Sequence, residues 1–264
     1  MPNHVTNLVC VTGDEKGILQ MLEAIQQEEV GIGSVDFNRI IPMPKDLEIR
    51  CGLSTARCME LYLTCVDPGV SWYPGKKMDP EGFENLMGSL KKHGYGRAAH
   101  PSPERMAETE KKLLETGEFT DRTEMEALGA QAVRNVFLYG AATSMDWSLI
   151  HWGTKQNSYG YEALNPEDAK GGKLVFYTAN SCADKIIRKL SEQYPELFFS
   201  YFWADEDFGN QVGEKEYEAG EEVFCNIPTR GSNEAFAMAE DILGITPEEC
   251  GYQMDAEFGI YVYQ

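Results

Sequence analysis

Basic charge is scarce toward the end of this chain: residues 201–264 hold 2 Lys/Arg against 15 Asp/Glu, a net of −13 out of −20 for all 264 residues. Such a surface repels a phosphate backbone, so direct nucleic-acid binding is not expected. Long apolar runs are lacking too. None reaches the roughly 18 residues of a membrane span. Residues 1–12 lack the basic flank and apolar stretch of a signal peptide and read as a first strand. The expectation is a cytoplasmic protein with no membrane partner. Histidine is rare: His4, His93, His100 and His151 are scattered and form no H-E-x-x-H pattern. The seven cysteines are odd in number, which suits reduced thiols acting as small hydrophobes, as expected for Cys10, Cys182 and Cys225. Cys51, Cys58 and Cys65 recur every seven residues, a spacing that fits packing on a helix face better than a zinc site. G-x-S-x-G, G-x-G-x-x-G and G-x-x-x-x-G-K-[ST] are all absent. No metal, cofactor or catalytic residue is therefore assigned.

What is present is the pattern of a globular α+β chain, 42% hydrophobic and 11% aromatic. Residues 4–11 alternate as a strand, with Val5, Val9 and Val11 on one face and Leu8 and Cys10 on the other. Ile18, Met21, Leu22 and Ile25 follow with helical spacing. Residues 35–41 read as a second strand, stopped by Pro42 and Pro44. Residues 45–144 lack strands and carry four helical stretches, near 53–65, 79–92, 103–116 and 122–140, punctuated by prolines such as Pro74 and Pro101. The α/β pattern then returns. Residues 173–179 form a strand, Ser181 caps a helix whose buried face carries Ile187 and Leu190, and residues 197–204 form a strand apolar on both faces. After a turn at 205–209, residues 212–217 continue as a hairpin, and a helix over 232–243 and a short strand over 258–263 complete the chain.

Strand, helix, strand, insertion, strand, helix, strand is the order of a split βαβ, ferredoxin-like fold with an antiparallel sheet. The expected organisation is a discontinuous core, 1–44 with 145–264, around a mainly helical insertion at 45–144. If the second face of the sheet stays open, it would form a ligand platform with Phe198, Phe202 and Tyr177 as stacking residues.

Several segments are more specific as a set: Met1-Pro2-Asn3 at the start, Ile40-Ile41-Pro42-Met43-Pro44, Trp152-Gly153-Thr154-Lys155, Tyr177-Thr178-Ala179, and Tyr194-Pro195-Glu196-Leu197. Together they resemble the YubB-like ferredoxin-like family, over about residues 1–45 and 145–217. The resemblance implies the fold and a bacterial mobile-element setting, with no reaction attached. Gln156 departs from a Trp usual in that pattern, and Asn180, Ser181 and Cys182 depart from a T-A-W run.

Two candidate sites follow. Trp147 and His151 share a helix face, Gly153 suits a helix end, and Trp152, Thr154 and Lys155 complete an aromatic and cationic segment that could bind an anionic ligand. The bland alternative is packed tryptophans and a capping glycine. Asp205, Glu206, Asp207, Glu221 and Glu222 form a candidate acidic surface. The favoured reading is a non-enzymatic acidic binding module with a basic protein partner. The alternative is a small-ligand binder or enzyme built on Trp147, Trp152 and Lys155.

Overall fold

The computed structural model describes residues 3–69, 77–95, 103–162 and 165–264. Met1, Pro2, Pro74, His100 and Pro101 lie outside them. In chain order the elements are β1 (His4–Thr12), α1 (Glu15–Ile25), α2 (Phe37–Ile40), α3 (Leu53–Val66), α4 (Pro80–Lys92), α5 (Pro103–Glu115), α6 (Arg122–Tyr139), α7 (Ser144–His151), α8 (Pro166–Lys170), β2 (Lys173–Ala179), α9 (Asp184–Gln193), β3 (Phe198–Asp205), β4 (Gly213–Glu218), β5 (Glu221–Asn226), α10 (Asn233–Leu243), β6 (Tyr252–Asp255) and β7 (Ile260–Tyr263). They form two compact units, one of Met1–Pro42 with Ser148–Gln264 and one of Met43–Trp147.

The first unit is built on a five-stranded sheet of order β2-β1-β3-β4-β5, antiparallel throughout. β1 pairs on one side with β2 and on the other with β3, so the first strand of the chain is held by strands that follow it by well over a hundred residues. The side-chain period of two assigns the faces. Val5, Val9 and Val11 of β1, Leu174 and Phe176 of β2, and Phe199 and Tyr201 of β3 point to one side and are buried. There they meet α9, which packs on β3, β4 and β5, and Phe37 of α2, whose ring lies against Phe176; α1 contacts α2 and α8, and α8 contacts β2. The buried stripe of α1, Ile18, Met21, Leu22 and Ile25, is the one its spacing predicts. Gly213 is required at the mouth of β4, because a Cβ there would lie 2.4 Å from the Trp203 ring.

The strand expected at 35–41 does not form. Phe37–Ile40 is a short helix capped by Asp36, whose side chain accepts the Asn38 N–H. The neighbouring backbone donors go to side chains of a later segment: Val35 N–H to the Tyr161 hydroxyl at 2.9 Å and Phe37 N–H to Asn157 Oδ1 at 2.8 Å. Phe37 then sits edge-on to Trp152 and Phe176, closing the core on the helix side. β4 and β5, not residues 35–41, extend the sheet. The Ser181 cap is also corrected. Its carbonyl accepts the Thr178 hydroxyl, and α9 begins three residues later, at Asp184, with Ala183 in the cap position. The short C-terminal strand β7 pairs with β6 in a separate two-stranded sheet.

The second unit is helical. α3 and α6 pack closely because Gly129 of α6 has no side chain: a Cβ there would stand 2.0 Å from the Cys58 carbonyl oxygen. Met59, Leu63, Leu90, Val133 and Val136 form one apolar cluster, and Leu61, Met106, Leu113 and Met125 form another with Cys58. Cys58 and Cys65 are buried as expected, but Cys51 precedes α3 and is exposed, as is Cys225 on the edge strand. Among the described residues no helix is long and apolar enough to cross a membrane.

Candidate functional site

The sheet face away from the core helices is the most distinctive surface of the first unit. Register sets its side chains in rows. Val175, Leu8, Phe202, Glu214 and Asn226 form one. Lys173, Cys10, Ser200, Glu216 and Phe224 form the next. Thr12, Phe198, Glu218 and Glu221 form the third. The described helix on this side is α10, which with Phe208 covers the Ala204 end through Ala235, Phe236 and Ala239. At another corner His4, Tyr159 and Tyr177 pack edge to edge, and His4 shares a 2.9 Å hydrogen bond with the Tyr159 hydroxyl. Between these two corners Leu8, Phe198 and Phe202 are only half-buried, and Val175 and Phe224 are exposed at 40% and 44%. The three aromatics anticipated as a platform, Phe198, Phe202 and Tyr177, do share this face.

Charge is sorted across the sheet. Glu214, Glu216 and Glu218 point to the open face, while the one lysine of the β4–β5 hairpin, Lys215, points to the core side. There its ammonium meets Glu222 at 2.8 Å and Asp184 at 3.2 Å. Burial alone would lower the Lys215 pKa, but these carboxylates hold it above the ordinary lysine range. Tyr217 donates to Asp184 in the same cluster. Lys215 is thus neutralised behind the sheet and leaves the glutamates of the front without a balancing cation in their column.

The acidic residues singled out from sequence separate into two groups. Asp205 is a correction: it is fully buried, because β3 continues through it and its carboxylate ties down the following turn. It accepts from Asn3 Nδ2 at 3.0 Å, the Asp207 N–H at 2.9 Å and Gln211 Nε2 at 2.9 Å. Burial raises its pKa. Glu206, Asp207, Glu221 and Glu222 are exposed, with Glu222 engaged by Lys215 and Asp207 near Arg230 at 3.7 Å.

The Trp147 to Lys155 segment resolves as a structural turn. Trp147, Trp152 and Thr154 are buried. Trp152 Nε1 donates to the Ile41 carbonyl at 2.9 Å, and the Thr154 hydroxyl bonds the Gln156 carbonyl. Gly153, at φ +82, takes the left-handed conformation that ends α7, and its N–H reaches the Ser148 carbonyl. His151 is half-buried, and burial with the nearby Lys185 charge lowers its pKa. Of the six residues singled out here, Lys155 alone is exposed.

Sequence reading missed the setting of one exposed thiol. Cys51 lies at the start of α7, 3.5 Å from the Ser144 hydroxyl. Burial pushes its thiol pKa up, but hydrogen bonds from Ser144, the Met145 N–H and Thr143 outweigh this and leave it below the ordinary value. A cleft of about 340 Å³ lined by Met59, Tyr95 and Asp146 lies beside it. Its helix-terminus setting depends on pairing across some ninety residues, which spacing does not reveal. Among the described residues no group of three or more His, Cys, Asp or Glu is arranged to hold a metal ion.

Residues 137–246 match the model of a family described as the ferredoxin-like domain in Api92-like protein, which supports a ferredoxin-like family for this α+β chain. Among solved structures, a crystal structure of a protein api92 from Yersinia pseudotuberculosis aligns at 12% identity and a TM-score of 0.38, over 88% of this chain and 100% of that one. No curated protein matches.

Proposed function

We propose that this protein is a non-enzymatic binding module whose acidic C-terminal part engages a basic protein partner. The observation that carries the reading is the sorting of charge in the β4–β5 hairpin. Its five glutamates are all at least partly solvent-accessible, and its lysine is turned to the core side and paired. Carboxylates so placed favour a cationic protein surface and disfavour phosphate. The motifs shared with YubB-like proteins support a mobile-element setting in bacteria, and the reduced cysteines suit the cytosol.

The test is a pull-down from bacterial lysate with the full chain at low and moderate salt. The reading expects basic proteins that are retained at low salt and released as salt rises. Retention of nucleic acid in place of basic protein, or capture that salt does not affect, contradicts it.

A further inference from the structure

We propose that the open face of the five-stranded sheet is the docking surface, and that its occupant is a basic amphipathic helix of the partner protein. The helix would lie with its apolar side on Leu8, Phe198 and Phe202 and its cations toward Glu214, Glu216 and Glu218. This rests on the acidic-module reading and adds the place and mode of binding.

Three features of the face lead there. First, apolar side chains remain accessible on it: Leu8 and Phe202 stand side by side in register and partly exposed, Phe198 follows two rows along, and Val175 and Phe224 are exposed. The opposite face is closed by helices, whereas α10 covers only the Ala204 end here. An apolar surface left accessible in this way is a contact surface. Second, the dimensions fit a helix. Strands lie about 4.8 Å apart, so β1 to β4 spans about 10 Å, roughly one helix diameter. The three glutamates alternate along β4 and repeat about every 6.8 Å. Cations at i and i+4 of a helix repeat about every 6 Å. One helix running along β3 therefore matches both the apolar column and the acidic column. Third, charge selects the partner. The cation in the three rows, Lys173, sits on the far edge, in β2. Aromatics on a sheet can stack nucleobases, but a column of carboxylates beside them repels the phosphates that must follow.

The probe is a 16-residue helical peptide of leucine and lysine in amphipathic order, compared with a scrambled peptide of the same composition. Hydrogen exchange of the full chain reads the footprint. Ordered peptide is expected to protect β1, β3 and β4 and to bind more tightly than the scramble. Phe202→Ser should weaken it about tenfold or more, and so should Glu214→Gln with Glu216→Gln, which leaves the apolar face intact should Phe202→Ser fail to fold. Equal binding of both peptides, or protection elsewhere with both variants unaffected, overturns the docking surface and leaves the acidic-module reading standing. No binding of either peptide at low salt removes both. Displacement of the peptide from this face by a single-stranded oligothymidylate assigns the surface to nucleic acid and also overturns the proposal.

Discussion

The Tyr201 hydroxyl donates to Asn7 Oδ1 at 2.6 Å, joining two adjacent strands directly beneath the start of α9. The Tyr201 hydroxyl oxygen accepts the Ala183 N–H at 2.8 Å, while Asn7 Nδ2 bonds the Val5 carbonyl and the Thr178 hydroxyl. Burial holds the Tyr201 phenol protonated, well above its ordinary pKa. Removing the Tyr201 hydroxyl deletes two buried hydrogen bonds at once and leaves Asn7 Oδ1 and the Ala183 N–H only the longer one they make to each other. Tyr201→Phe should cost about 1–3 kcal/mol. A urea unfolding curve would read this as a lower midpoint with an unchanged slope. A midpoint within error of wild type would show that the network contributes nothing.

Asp205 makes a pH-dependent contribution of known sign. Burial raises its folded-state pKa above that of the unfolded chain, so the native state binds the proton more tightly. Its contribution to stability is therefore greatest below about pH 4, the usual aspartate value, and declines as pH rises through the higher folded-state pKa. Asp205→Asn should flatten this decline when unfolding midpoints are followed from pH 4 to 7. Asp205→Ala should be destabilised at every pH, because its hydrogen bonds from Asn3, Asp207 and Gln211 are lost together.

Which parts of this fold could be read from sequence follows from where their determinants lie. β1, α1, β2 and β3 are legible because alternation or 3.6-residue spacing decides them locally. Residues 35–41 are not. Val35, Phe37, Ile40 and Ile41 suit a strand or a helix, and the choice is made by Asn157 and Tyr161, more than a hundred residues away. β5 was missed because it is an edge strand whose apolar residues, Val223 and Phe224, face solvent beside glutamates. The start of α9 escaped for a similar reason: Ala183 N–H bonds Asn7 and Tyr201 from other strands.

The candidate site shows the same division. Phe198, Phe202 and Tyr177 fall on one face because strand period alone places them there. Asp205 was misassigned because a carboxylate at a strand end looks identical in sequence whether its acceptors meet water or Asn3 and Gln211. Trp152 was ambiguous until its indole N–H was seen to reach Ile41.

Gly129 should tolerate no side chain. A methyl group at this position meets the Cys58 backbone carbonyl, which cannot rotate away as a side chain could. Gly129→Ala should lower the stability of the helical unit despite alanine's better helix propensity, at a cost of about 1–3 kcal/mol from overpacking. A thermal melt of the variant checks this. A raised melting temperature would mean that propensity outweighs the clash.

Trp152 and Lys155 should behave oppositely. Trp152→Phe leaves the Ile41 carbonyl without its donor and should cost about 1–3 kcal/mol. Lys155→Ala, at an exposed position, should stay within about 0.5 kcal/mol of wild type. Chemical denaturation of the two variants, side by side, makes the comparison. A Trp152→Phe protein as stable as wild type would show that the bond to Ile41 contributes nothing.

The central claim, that carboxylates at one place on the sheet engage a basic partner, is tested most directly by two variants of equal charge. Glu214→Lys with Glu216→Lys reverses the open face. Glu23→Lys with Glu29→Lys changes net charge by the same amount at exposed positions on and just after α1, away from that face. Affinity for the leucine–lysine peptide is measured by calorimetry at several salt concentrations. The account predicts that the first pair abolishes salt-sensitive binding while the second weakens it only slightly. Equal losses in the two variants would make binding a matter of net charge alone and contradict the claim.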